Sequence, residues 1–137
     1  MVQYYSYPDY KFDRLRKESP GLYETYADVG LDEWITFRVE LDGAKARLYI
    51  NNQKHPSFVV EKMQGLTFDG SVALWVDIGT MGYFKDLKVT SVDGKNVGRQ
   101  QVLSKCGIEL ITDAPGHFFG GIDFHFDVWF GTKGSCG

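Results

Sequence analysis

The feature that most constrains the fold is a pair of alternating runs between residues 34 and 50. Phe37, Val39 and Leu41 alternate with polar residues, which is the period of a strand that has one face in water. In the second run, residues 46–50, apolar side chains again recur at every second position. Because Asp42 and Gly43 between the runs favour a tight turn, the sequence predicts an antiparallel hairpin here.

Two further strands are predicted downstream, at the spacing of a β-sandwich. They cover residues 70–77 and 82–89, each begins at a glycine, and Gly79 adds a break between them. Phe58 and Val60, which follow a turn-rich link, are expected to face the core. Residues 34–89 therefore carry the centre of an all-β fold.

The same strands carry motifs that resemble a known family. A Trp-led strand, an L-Y-x-N hairpin arm, a glycine-started strand and a final Y-F-x-x-L occur at residues 34–43, 46–51, 70–75 and 83–87, after a Q-Y-x-S-Y-P arm at residues 3–8. This set resembles the laminin-G-like and concanavalin A-like jelly rolls, most of all their bacterial keto-disaccharide hydrolase-type branch, over about residues 2–90. The resemblance implies a β-sandwich truncated at its amino terminus, and a module that recognises carbohydrate or is adhesive.

Composition and charge bound the class of protein. With 137 residues, 43% of them hydrophobic and 24% charged, the chain predicts a single globular domain. We divide it into a family-like block (1–90), a linker (91–101) and atypical carboxyl-terminal strands (102–137). A net charge of −3 disfavours nucleic acid as a partner. Since neither a membrane-length apolar run nor a secretion signal is visible, we expect a soluble protein with no membrane partner, of open localisation.

The amino-terminal 31 residues are predicted to add three short strands. The first contains Val2 and Tyr4 and ends near Pro8, and the second contains Phe12 and Leu15. The third covers residues 22–29, after a turn that proline and glycine favour at residues 19–21.

The carboxyl-terminal tail has the most regular alternation in the chain. From residue 122 onward, Phe124, Phe126, Val128 and Phe130 share one face of a predicted strand. Such a strand cannot remain unpaired in water without aggregating. We therefore expect the tail to replace the missing amino-terminal strands, either folded back within the monomer or donated to a second copy, and we favour a homodimer.

The candidate catalytic residues lie on the other face of the tail strand. Asp123, His125 and Asp127 alternate, so two carboxylates would flank an imidazole, which suits acid–base catalysis or a hard metal ion. The two carboxylates would lie about 13 Å apart, too far for a retaining glycosidase and beyond most inverting pairs. The reading we favour is a strand face in contact with solvent.

A second candidate site is aromatic. Tyr49 and Trp75 point away from the core-facing residues of their own strands, and with Tyr83 they would offer a flat platform to a sugar ring. The expected hydrogen-bond partners of the sugar are Arg47, Asp77 and Lys85. The alternative is cross-strand aromatic pairing or burial under the tail. Trp34 and Trp129 are expected to anchor the core or an interface.

Neither a metal nor another cofactor is predicted. Asp77, Thr80 and Asp86 supply oxygen atoms, but calcium needs a clustered set of about six to eight oxygens, and the sequence shows no such acidic loop. Cys106 and Cys136 have neither redox nor zinc spacing. They form either one disulfide or two free thiols, depending on the compartment.

These patterns favour a non-catalytic carbohydrate-binding or adhesive β-sandwich module. One alternative is a glycoside hydrolase-like enzyme built on Asp123, His125 and Asp127. Another is a truncated or recombined member of the family that acts only as an oligomeric structural or interaction protein. Three experimental outcomes separate these functions: the chain binds sugar, cleaves glycosides, or does neither.

Overall fold

The computed structural model describes residues 1–65, 73–75, 81–91 and 122–131. Within these ranges the chain is mostly β-structure, which confirms the predicted all-β class. The elements are β1 (Val2–Gln3), α1 (Phe12–Glu18), β2 (Glu24–Thr25), β3 (Trp34–Asp42), β4 (Lys45–Ile50), β5 (Phe58–Val60), β6 (Met81–Ser91) and β7 (Ile122–Gly131).

The main sheet has five antiparallel strands in the order β5-β4-β3-β7-β6. The predicted hairpin is confirmed, because Asp42 lies opposite Lys45 and only two residues separate β3 from β4. Gly43 in this turn has a φ of 56°, a left-handed conformation that glycine adopts without a steric penalty. A separate two-stranded sheet pairs β1 with β2.

The carboxyl-terminal strand β7 lies inside the main sheet and not at its edge. It pairs with β3 from Trp34–Trp129 to Leu41–Ile122, and its other side pairs with β6. The prediction that residues 122–130 form a strand with covered edges is therefore confirmed, and the cover comes from the same chain. β7 separates β3 from β6 although both precede it in sequence.

The core lies on one face of the main sheet, where the alternation predicted it. Ile35, Ile50 and Val128 are 0%, 4% and 1% exposed and form its centre. Seven partly buried side chains surround them: Val2, Ala27, Val29, Phe37, Leu48, Phe84 and Phe126. Because three of these precede β3, the amino-terminal segment covers part of the sheet's apolar face. Each fully buried aliphatic side chain contributes about 1.5–3 kcal/mol.

The amino-terminal prediction is wrong at Phe12 and Leu15, which lie in the helix α1 and not in a strand. Their spacing of three residues places both on one helix face, and Leu15 is buried. Arg14 forms an ion pair with Glu18 at 2.9 Å, one helical turn away. The segment contains no β-branched residue that would favour a strand. Of the third predicted strand, residues 22–29, only Glu24–Thr25 form a strand, which is β2.

The remaining predictions have mixed outcomes. The strand predicted at 82–89 is confirmed as β6, and Phe58 and Val60 lie in β5. Of the strand predicted at 70–77, residues 73–75 are described and are not in a strand. The rest of that strand, most of the linker at 91–101 and both cysteines lie outside the described residues.

Candidate ligand-binding face

The side of the main sheet opposite the core carries the candidate functional residues, and we call it the polar face. Register pairs across β3 and β7 place it: Trp34 lies opposite Trp129, Thr36 opposite Asp127 and Arg38 opposite His125. β4 and β6 extend the face on either side. Its members are Trp34, Thr36, Arg38, Glu40, Asp42, Lys45, Arg47, Tyr49, Val59, Met81, Tyr83, Lys85, Lys88, Thr90, Asp123, His125, Asp127 and Trp129.

Three aromatic residues form a row at one end of the polar face, which we call the aromatic end. Trp34, Trp129 and Tyr83 are register neighbours on β3, β7 and β6. The rings of Tyr83 and Trp129 are 5.4 Å apart between centroids and inclined at 55°. Trp34 and Tyr83 are 47% and 39% exposed. A large part of the aromatic surface of this row is therefore in contact with water.

The next row of the polar face holds Thr36, Asp127 and Lys85. The Thr36 hydroxyl donates a hydrogen bond of 2.7 Å to Oδ1 of Asp127. Lys85 lies opposite Asp127 in the register, but its ammonium group lies over the Trp34 ring, 4.1 Å from the centroid. A cation over an indole face is attracted by the ring quadrupole. This row thus brings a hydroxyl, a carboxylate and an ammonium group beside the aromatic end.

The opposite end of the polar face, which we call the charged end, is held together by its own contacts. Glu40 is 3.0 Å from Arg38 and 3.8 Å from Arg47, and it accepts a hydrogen bond of 3.1 Å from the Tyr49 hydroxyl. The Arg38 guanidinium lies over the Tyr49 ring at 4.0 Å. Burial, followed by the hydrogen bond to the Glu40 carboxylate, raises the pKa of Tyr49. Tyr49 is only 9% exposed.

Asp123 lies at the charged end beside Glu40, its register partner. One of its carboxylate oxygens is buried and has no hydrogen-bond partner among the described residues. Burial raises the pKa of Asp123, and the Glu40 carboxylate adds to this, whereas Arg38 and His125 lower the pKa. The three predicted catalytic residues thus share one face, but the carboxylates of Asp123 and Asp127 have different environments.

A β-bulge in β6 controls which lysines reach the polar face. Lys85 lies opposite Asp127 and Lys88 opposite His125, so three steps along β6 match two along β7. Asp86, between them, has a φ of 56°. A bulge of this kind inserts one residue and changes the direction of the side chains that follow. Without it, residues 85 and 88 would lie on opposite faces of the sheet.

The residues of the predicted sugar platform occupy different places. Tyr49 and Tyr83 both lie on the polar face, but two strands separate them, so they are about 14 Å or more apart. The Tyr49 ring is covered by Arg38 and only 9% of this residue is exposed, whereas Trp34 remains 47% exposed although Lys85 lies over its ring. Trp75 is 73% exposed but does not belong to a strand, and Asp77 lies outside the described residues.

Trp34 does not anchor the described core, one of the two roles predicted for it, because it is 47% exposed on the polar face; the other role, at an interface, stays a prediction. Trp129 lies beside it, partly buried. The alternation of each strand was the available signal. Trp34 and Arg38 are separated by an even number of positions, as are Trp129 and Asp127, so each tryptophan shares a face with a polar residue. The expectation of an anchor followed the hydrophobicity of tryptophan and not its position in the alternation.

Two general features of the described part of the chain bear on function. No group of three or more histidine, cysteine, aspartate or glutamate side chains in it has an arrangement that would hold a metal ion. None of its helical segments has the length and apolar character needed to cross a bilayer.

Known proteins offer no match for this chain: no family model fits it, and neither a curated protein nor a solved structure is similar to it. The jelly-roll resemblance therefore stays a prediction from sequence motifs. The function has to be argued from the geometry of the polar face.

Proposed function

We propose that this chain is a non-catalytic carbohydrate-binding module whose ligand lies on the polar face, with a sugar ring against the aromatic end. The observation that carries this proposal is the row formed by Trp34, Trp129 and Tyr83 on three adjacent strands. Binding sites combine apolar or aromatic surface with a few fixed polar groups. Here both occur in neighbouring rows of one sheet.

The exposure of this row supports a ligand rather than a purely structural role. Trp34 and Tyr83 are 47% and 39% exposed, whereas Ile35, beside Trp34 in β3, is fully buried. Aromatic rings on a sheet are held by the backbone and lose little freedom on binding, since each has two rotatable side-chain bonds. A rigid aromatic row is suited to the apolar face of a sugar.

Polar groups near the row would orient the ligand through its hydroxyls. Asp127 keeps acceptor capacity beyond the hydrogen bond that it receives from Thr36, and Lys85 adds donors. The charged end is closed by the contacts of Glu40 and presents no free ring. The ligand is therefore expected at the aromatic end and not at Tyr49.

Turnover is not part of the proposal. Asp123 and Asp127 are four residues apart on β7, about 13 Å along the strand, which exceeds the separation of a glycosidase pair. Asp127 is also engaged by Thr36. The enzyme alternative would require chromogenic glycosides to be hydrolysed and this hydrolysis to disappear in Asp127→Asn.

A glycan array followed by calorimetric titration tests the proposal. We expect Trp34→Ala to weaken binding of the best glycan about tenfold or more, which corresponds to about 1.4 kcal/mol. Trp75→Ala is the matched control, since Trp75 is 73% exposed and is not in the main sheet. The proposal is abandoned if no glycan binds, or if Trp75→Ala weakens binding and Trp34→Ala does not.

We also propose that the five-stranded sheet is one layer of a concanavalin A-like jelly roll and that the protein is a homodimer. The motif resemblance supports the first statement. The two edge strands of the described sheet, β5 and β6, support the second, because an edge strand can pair with a strand of a second copy. Light scattering of the purified chain measures the association directly. A monomer at micromolar concentration would contradict the dimer and leave the sugar site unaffected.

A further inference from the structure

We propose that the saccharide bound by the polar face is acidic, with carboxylate or sulfate groups that contact Lys85 and Lys88. This inference rests on the proposed function, because it specifies the ligand of the same site. It concerns the charge of the ligand and not its stacking on the aromatic row.

Lys85 provides a cation beside the aromatic end without a protein anion to neutralise it. Among the described residues, no ion pair joins Lys85 to a carboxylate. Its register partner Asp127 accepts a hydrogen bond from Thr36, while the Lys85 ammonium lies over the Trp34 ring at 4.1 Å. A ligand that stacks near Trp34 therefore meets this ammonium group directly.

The bulge in β6 places a second lysine on the same face. Lys88 lies opposite His125, is exposed, and makes no ion pair within the described ranges. Its partner on β7 is two residues from that of Lys85, so the two lysines are about 7 Å apart along the strand. This spacing is within reach of acidic groups on one sugar or on neighbouring sugars.

The acidic residues of the polar face do not cancel these two cations. Glu40 is engaged by Arg38, Arg47 and the Tyr49 hydroxyl at the charged end. Asp123 lies at the charged end beside Glu40, and one of its carboxylate oxygens is buried. The carboxylates closest in register to the lysines are those of Asp127, Asp123 and the bulge residue Asp86. Because none of these carboxylates forms an ion pair with Lys85 or Lys88 within the described ranges, both ammonium groups are available to an anion of the ligand.

The net charge of −3 makes this local arrangement informative. A chain of that charge does not attract polyanions as a whole, so any preference for an acidic ligand has to come from a particular surface. Such an attraction between exposed charges weakens as salt shortens the screening length from about 10 Å at 0.1 M to about 3 Å at 1 M. Salt dependence is therefore a direct readout.

The test is calorimetric titration of the full chain with three forms of one oligosaccharide: a uronate form, its carboxyl-reduced neutral form and a sulfated form. We expect at least one acidic form to bind about tenfold more tightly than the neutral form at low salt, and to lose this advantage at 1 M salt. Binding of only the carboxylated or only the sulfated form supports the inference and identifies the anion.

Single variants locate the effect. Lys88→Gln should weaken acidic binding about three- to tenfold and leave neutral binding unchanged, since Lys88 touches no ring of the aromatic end. Lys85→Arg should retain acidic binding and Lys85→Gln should reduce it. Lys17→Gln, on the exposed helix α1, is the control and should change nothing.

Two outcomes overturn the inference and are distinguishable from each other. If the neutral form binds as tightly as the acidic forms and Trp34→Ala weakens both, the module binds sugar but the acidic specificity is wrong. If no form binds but the glycan array yields a neutral ligand, the inference is wrong and the proposed function stands; if nothing on the array binds either, both are wrong. Equal losses in Lys88→Gln and Lys17→Gln would also overturn the inference, because they would indicate an unspecific charge effect.

Discussion

Two adjacent register pairs of the β3–β7 ladder differ sharply in their surroundings. Ile35 lies opposite Val128 on the core side, and both are almost completely buried. One residue away, Trp34 lies opposite Trp129 on the polar face, and Trp34 is 47% exposed. The same two strands thus bury aliphatic side chains of moderate size and leave the larger aromatic ones at the surface.

The difference teaches that strand parity, and not hydrophobicity alone, decides burial in this sheet. Successive side chains point to opposite faces, so a tryptophan next to a buried isoleucine is directed outward. Single exposed apolar residues are common on proteins, but a row across three strands is a contiguous patch. Such a patch is consistent with ligand binding. Three predictions test the contrast between the core side and the polar face, beginning with the largest expected effect.

Ile35→Ala should lower the free energy of unfolding by about 3 kcal/mol, because it removes buried methylene and methyl groups and leaves a cavity beside Val128. Trp34→Ala is the matched substitution on the other face and should cost about 1 kcal/mol or less. Urea denaturation followed by circular dichroism measures both. Equal losses would break the contrast and return Trp34 to the anchoring role that the sequence had suggested.

Thr36→Val should lower the free energy of unfolding by about 1 kcal/mol, because it removes the hydrogen bond of 2.7 Å to the Asp127 carboxylate. The control is Thr90→Val, on the same face, whose side chain makes no hydrogen bond within the described ranges. That change should stay within about 0.5 kcal/mol. A cost for Thr36→Val no larger than that of the control would mean that the polar face adds nothing to stability.

The smallest expected effect is a change in pH dependence at Asp123. Burial raises its folded-state pKa, so the folded protein retains a proton that the unfolded chain has already released. Stability associated with this group is therefore full below the ordinary aspartate pKa and is lost as pH rises through the folded-state pKa. Arg38 and His125 oppose the shift and Glu40 reinforces it.

Asp123→Asn should remove this loss, so the variant gains stability relative to the unchanged chain as pH rises from 3 to 7. Urea midpoints at several pH values measure the difference. A constant difference between the two proteins at every pH, or a variant that is favoured at pH 3, would show that the Asp123 carboxyl does not carry the predicted proton.

Much of the sheet was predictable because its strands alternate clearly. The two-residue period placed β3, β4, β6 and β7, and it assigned Ile50 and Val128 to the core. The short helix α1 was missed because its seven residues span fewer than two helical turns. Its Arg14–Glu18 pair was the available signal. Hydrophobic periodicity is weak evidence in segments of that length.

The candidate site was predictable only in part. Arg47, Tyr83 and Lys85 lie on the polar face, as their strand positions predicted. The burial of Tyr49 was not predictable, because it depends on contacts that Arg38 and Glu40 make from the neighbouring strand. Of the two roles predicted for Trp34, only that of a core anchor is wrong, because the strand directs its side chain to the polar face.

The sequence by itself determined which side chains of each strand share a face, since alternation is a local property of the backbone. Only the tertiary structure decided that β7 lies between β3 and β6, because partners such as Thr36 and Asp127 are 91 residues apart and no local signal encodes their pairing. The bulge at Asp86 was likewise decided by pairing. Strand order assembled the aromatic row and the two lysines, so the proposed site exists only in the folded sheet.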